Sequence, residues 1–124
     1  MSQKEYEQGL AIRRRMFGDA HVNCAMDNMD EFTKGFQDYV NEICYGGIWA
    51  RSGISLKTRS LLNLAILATL GRSQELKLHI RGAIANGATR EELFEVFLQC
   101  AMYSGIPSAN DAFRLAKEVF AEKG

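Results

Sequence analysis

Proline is nearly absent, with Pro107 alone in 124 residues, which leaves little room for long irregular linkers. Charge of one sign is lacking too. The 15 basic and 15 acidic residues cancel, so nothing draws the chain electrostatically to nucleic acid or to an anionic membrane surface. No apolar run is long enough to span a bilayer, and the opening Met-Ser-Gln-Lys-Glu-Tyr-Glu has no apolar signal core; a cytoplasmic protein with no membrane partner is expected. Cysteine is scarce and scattered. Cys24, Cys44 and Cys100 are odd in number and form no C-x-x-C, which argues against a disulfide framework and against a zinc site. His21 lies three residues from Cys24, but no second pair completes a metal set. Strand-like alternation is missing throughout.

What is present is helical periodicity. An apolar fraction of 47% is ample for the core of one domain over residues 1–124. Ser2 with Glu5 is a capping signature for a first, outer helix through Tyr6, Leu10, Arg13 and Phe17, ending at Gly18. A second helix is expected from about Asp27 to Tyr45, with Phe32, Phe36, Tyr39, Val40 and Ile43 on one face and Gly46-Gly47 as its stop. The irregular Ile48–Ile54 follows. A third helix from Ser55 to Leu70 is apolar almost all round and is expected to be central and buried. The fourth runs from about Ser73 to Asn86 and stops at Gly87. The fifth opens at Thr89 with Glu92, runs to Tyr103, and is expected to pair with the third as a core hairpin partner. Pro107 suits the first turn of the last helix, with Ala109, Ala112, Phe113, Ala116, Val119 and Phe120 in one stripe. The fold class is therefore all-α, with about six helices. The third and fifth expose more apolar surface than one small bundle buries, which predicts a homo-oligomer.

Within the fourth helix, Glu75 and His79 are four residues apart and hence neighbours. A carboxylate beside an imidazole can fix the tautomer of the ring and let it move a proton near neutral pH; a surface ion pair of little energetic weight uses the same spacing. Position on the helical wheel tips the balance toward the first. At about 100° per residue from Leu76, Ile80 and Ala83 fall within about 40° and Ile84 at about 80°, while Arg72, His79 and Glu75 line one flank at roughly −40°, −60° and −100°. That flank lies between core and solvent, where a pocket wall belongs when another element faces it, and where snorkelling surface residues also sit.

Five segments now fall in order: Tyr45-Gly-Gly-Ile-Trp-Ala-Arg-Ser-Gly-Ile-Ser55, Thr58-Arg-Ser-Leu-Leu62, Glu75-Leu-Lys-Leu-His-Ile-Arg-Gly-Ala83, Asn86-Gly-Ala-Thr-Arg-Glu-Glu92 and Tyr103-Ser-Gly-Ile-Pro107. Together they resemble the carboxymuconolactone decarboxylase family, within the superfamily of the alkylhydroperoxidase AhpD. The thiol enzymes of that superfamily look like E-x(11)-C-x-x-C-x(3)-H. With the histidine set on His79, their cysteines fall at Arg72 and Glu75 and their glutamate at Ser60, so only the histidine is retained. The resemblance to the decarboxylase branch implies conversion of 4-carboxymuconolactone into 3-oxoadipate enol-lactone and carbon dioxide, in protocatechuate catabolism, with no metal or organic cofactor. It implies a trimer or hexamer with a small lactone carboxylate as substrate. Loss of carbon dioxide leaves an electron pair that spreads through the ring alkene onto the lactone carbonyl, so the site must stabilise an oxyanion, hold a carboxymethyl arm and deliver one proton to carbon. The candidates are His79 as proton donor and Glu75 as its partner, with the reverse assignment open. Arg51 and Arg59 suit the carboxylate arm because the guanidinium fork matches it, with Trp49, Arg72 and Tyr103 as further substrate contacts. As structural alternatives, Arg59 is a surface charge, Trp49 a core plug and Tyr103 a buried tyrosine with a satisfied hydroxyl. A thiol-dependent antioxidant protein, a decarboxylase of another lactone or keto acid, and a non-catalytic helical oligomer remain as other readings of the chain.

Overall fold

Every regular element among residues 2–122, those described by the computed structural model, is a helix. There are seven α-helices rather than six, and the chain divides into two compact units, Met1–Leu56 and Lys57–Gly124.

The first unit holds α1 (Gln3–Phe17), α2 (Asp19–Asp27), and α3 (Lys34–Tyr39), which continues without a break as a π-helix over Val40–Trp49. The Ser2 hydroxyl accepts from the Glu5 amide at 3.1 Å, capping α1 as expected. α2 escapes the periodic reading because it is short and buries Val22 alone. The helix expected from Asp27 to Tyr45 is corrected at both ends. Asp30 and Thr33 close a turn instead, with Thr33 N–H on Asp30 Oδ1 at 2.9 Å, and the glycines at 46 and 47 stop nothing. They lie inside the π-helix, whose wide turn is closed by Ala50 N–H on Tyr45 O at 3.0 Å, an i to i−5 bond. Gly46 is there for close approach: a Cβ on it would collide with the Glu5 carbonyl oxygen, and one on Gly9 with that of Asn41.

The expected face is not the buried one. Asn41, Glu42, Tyr45, Gly46 and Trp49 point inward, while Phe32 is 94% exposed and Phe36 and Tyr39 are exposed as well. α1 buries Gly9, Arg13 and Met16 and leaves most of its other residues exposed or half-buried. The Arg13 guanidinium donates to Asn41 Oδ1 at 2.7 Å and Gln37 Oε1 at 3.2 Å, which offsets part of the cost of burying that charge.

The second unit holds α4 from Lys57 onward (the helix itself is Leu56–Leu70), α5 (Ser73–Ala85), α6 (Arg90–Tyr103) and α7 (Ile106–Ala121). Its core gathers Leu64 and Ala68 of α4, Leu76, Ile80 and Ala83 of α5, Leu93, Phe97 and Cys100 of α6, and Ala112, Leu115, Ala116 and Val119 of α7. α7 packs along both α5 and α6, and ion pairs Lys77–Glu118 at 2.9 Å and Arg81–Glu122 tie it to α5. The expected capping box of α6 is complete, with Thr89 and Glu92 exchanging bonds of 2.9 and 3.0 Å. Gly71 and Gly87, both with positive φ, follow the ends of α4 and α5. α4 is not buried all round. Leu62 and Ile66 are each 53% exposed, and Leu70 and, on α6, Phe94, Leu98 and Met102 are also exposed. None of the described helices is long and apolar enough to cross a membrane.

Candidate active site

α5 sets the geometry. Arg72 precedes its first turn and is exposed; Glu75 is exposed within that turn; Leu76, Ile80, Gly82 and Ala83 form the buried face. Ile84, expected on that face, is exposed, at the penultimate position of the helix. His79 sits on the flank between, half-buried. Burial pushes its pKa from 6.5 down to about 4, and the nearby charge of Glu75 opposes that shift without reversing it. The ring is therefore neutral at neutral pH, and an imidazolium formed there is a stronger acid than one in water.

The His79 Nδ1 accepts from the side-chain amide of Asn63 on α4 at 3.0 Å. One turn away on the same helix, fully buried Ser60 accepts from the amide of buried Asn86, which follows α5, also at 3.0 Å. Neither Asn63 nor Asn86 is among the site candidates that spacing suggests. The available signal was a lone amide in Leu61-Leu-Asn-Leu-Ala-Ile-Leu-Ala68, since an apolar helix has no use for an amide unless something across from it needs one.

Of the other candidates in this unit, Arg59 is half-buried on α4, one turn before Asn63. Tyr103 is not buried: it stands past Cys100, the last residue that α6 buries, and is 84% exposed. In the first unit Trp49 is 7% exposed, stacked on Tyr45 with ring centroids 5.6 Å apart, in a cluster with Met16. It is thus a core residue that also lines a groove of about 520 Å³ beside Ile12, exposed Arg51, Ser52 and Ile54. Burial pushes the Cys44 and Cys100 thiols up, against the influence of Arg13 in the case of Cys44. Neither is poised as a thiolate.

Residues 34–118 match the carboxymuconolactone decarboxylase family. The chain belongs to that family. It is 39% identical over 122 residues to the 4-carboxymuconolactone decarboxylase of Acinetobacter baylyi, covering 98% of this chain and 91% of the relative. It is 37% identical over 107 residues to the nitrosuccinic acid decarboxylase npaB of Metarhizium robertsii, with 86% and 75% covered. An uncharacterized 15.0 kDa protein of Paracoccus denitrificans is 30% identical over 98% of this chain and 94% of its own length. The match to the carboxymuconolactone decarboxylase family takes in α4, α5 and α6, and so Arg59, Asn63, Glu75, His79 and Tyr103, together with Trp49 and Arg51 of the first unit.

Proposed function

We propose that this protein decarboxylates 4-carboxymuconolactone to 3-oxoadipate enol-lactone without a cofactor, in the cytoplasm, within protocatechuate catabolism. The observation that carries this is the 39% identity to a 4-carboxymuconolactone decarboxylase over nearly the whole chain. The chemistry at His79 supports it. One proton is consumed per turnover: the carboxylate leaves as carbon dioxide, its bonding pair passes through the ring alkene to the lactone oxygen, and a ring carbon takes up a proton. His79 supplies that proton, with Glu75 beside it. In the free chain the ring is neutral; an incoming substrate with two carboxylates adds negative charge to that of Glu75, which favours the charged ring. The proton thus arrives with the substrate, and the burial that depresses the ring's pKa then drives its transfer to carbon.

Arg59 and Arg72 are offered to substrate carboxylates from the same unit as His79, with Tyr103 as an exposed contact, and Arg51 is offered beside Trp49 in its own groove. The apolar faces of α4 and α6 form a central antiparallel pair within a trimer or hexamer of a single-domain chain. The test is to follow loss of 4-carboxymuconolactone and release of carbon dioxide with purified protein and no added cofactor. Turnover supports the assignment. No turnover of the lactone, with turnover of nitrosuccinate, moves it to the substrate named for the fungal relative.

A further inference from the structure

The α4–α5 seam is pinned at two levels, by Asn63 to His79 and by Ser60 to Asn86, both at 3.0 Å. Ser60 is fully buried and Asn86 nearly so, so the spacing of the two helices beside the ring is fixed from within the core. In that frame we infer that Asn63 is a positioning residue: its amide, donating to Nδ1 of His79, sets the plane of the ring and places the hydrogen of the neutral form on Nε2. The inference deepens the assignment of His79 as proton carrier and rests on it for its catalytic meaning.

The two groups are complementary partners. The side-chain nitrogen of Asn63 can only donate, so the ring nitrogen 3.0 Å away must present its lone pair. A neutral imidazole holding its lone pair at Nδ1 carries its hydrogen on Nε2. When the ring takes up a second proton, at Nδ1, a half-turn of the same amide presents its oxygen to that new N–H. An amide therefore serves both charge states at one position, which neither a carboxylate nor an alkyl side chain does. The proton that leaves for carbon comes from Nε2, the nitrogen not held by Asn63. The charge that acts on the ring from its own helix is Glu75. Lys77 is paired with Glu118 of α7 and Arg81 with Glu122 just beyond its end, and Arg59 lies one turn from Asn63 on α4.

Nitrogen NMR of the imidazole reads this directly, because the chain has two histidines and a His21→Gln background leaves one signal set. The expected spectrum above the ring's pKa shows Nε2 protonated and Nδ1 bare. Asn63→Asp, which can only accept, should reverse the two nitrogens and raise proton affinity about tenfold or more. Asn63→Leu should give averaged tautomers, with kcat lowered about tenfold and KM little changed. A wild-type ring with its hydrogen on Nδ1, or an Asn63→Asp ring that keeps the wild-type pattern, overturns the inference. The spectrum is read whether or not the protein turns over the lactone. An idle protein with the expected pattern sinks the functional assignment and keeps the role of Asn63, while an active one with Nδ1–H sinks the role of Asn63 alone.

Discussion

At neutral pH the His79 ring is uncharged because its loss of hydration on burial outweighs the attraction of the Glu75 charge. Two predictions belong to this residue. His79→Ala removes the proposed proton donor, and turnover should fall by about 10² to 10⁴. Glu75→Gln should lower it less, since the carboxylate acts through the ring. Near-normal turnover by a folded His79→Ala protein, with folding checked by circular dichroism, would remove the residue from the mechanism. The second prediction concerns stability. The folded pKa, about 4, lies below the ordinary value of 6.5, so as pH falls through 6.5 the unfolded chain takes up the proton first. The contribution of this group is intact above pH 6.5, drains away toward pH 4 and is constant below that. Between pH 7 and pH 5 it should cost roughly 2 kcal/mol. Urea denaturation of wild type and His79→Gln at the two pH values measures it, and equal losses in both proteins would refute it.

At the scale of the element, the least expected feature is the π-helix over Val40–Trp49. Gly9 and Gly46 are the positions that let α1 and this helix touch backbone to backbone. Gly9→Ala and Gly46→Ala should each destabilise by about 1–3 kcal/mol or more, the range of overpacked sites. Gly35 meets nothing within 4 Å, so Gly35→Ala in α3 should stabilise by up to about 1 kcal/mol through helix propensity. Thermal or urea melts of the three variants would test the contrast; a Gly46→Ala protein as stable as Gly35→Ala would mean that the helices can separate at no cost. The same elements explain what was legible in the sequence. α5 to α7 follow a 3.6-residue period, with the Thr89–Glu92 capping box opening α6, Pro107 in the first turn of α7 and positive-φ glycines after α4 and α5, so their limits and the flank position of Glu75 and His79 could be read from spacing alone. The turn closed by Asp30 and Thr33 breaks the register of a 3.6-residue wheel run from Asp27, so Phe32, Phe36 and Tyr39 face out, and the i to i−5 bonding of the π-helix that follows is not on such a wheel either. The tie from Asn63 to His79 spans 16 positions, and no local period encodes a partner on another helix.

For the whole molecule, the decisive quantity is the apolar surface that the second unit leaves uncovered. On α4, Leu62, Ile66 and Leu70 face outward, and on α6 Phe94, Leu98 and Met102 do the same. Monomers rarely show contiguous apolar faces of this kind, and burial of each such side chain stabilises by about 1.5–3 kcal/mol. If copies of the chain meet there, as proposed, removing apolar area from two helices should weaken assembly while the inner residues Leu64, Phe97 and Cys100 keep the fold. Sedimentation at micromolar concentration is expected to give a trimer or hexamer for the wild type. A Leu62→Glu, Leu98→Glu double variant should give a smaller species with an unchanged helical spectrum. Because assembly stabilises by mass action, the melting temperature of the wild type should rise with protein concentration and that of the variant should not. A wild type that sediments as a monomer and melts independently of concentration would mean that these faces stand open to water. The proposal that copies of this chain cover them would then fail, leaving the chemistry assigned to His79 to be judged by its own assay.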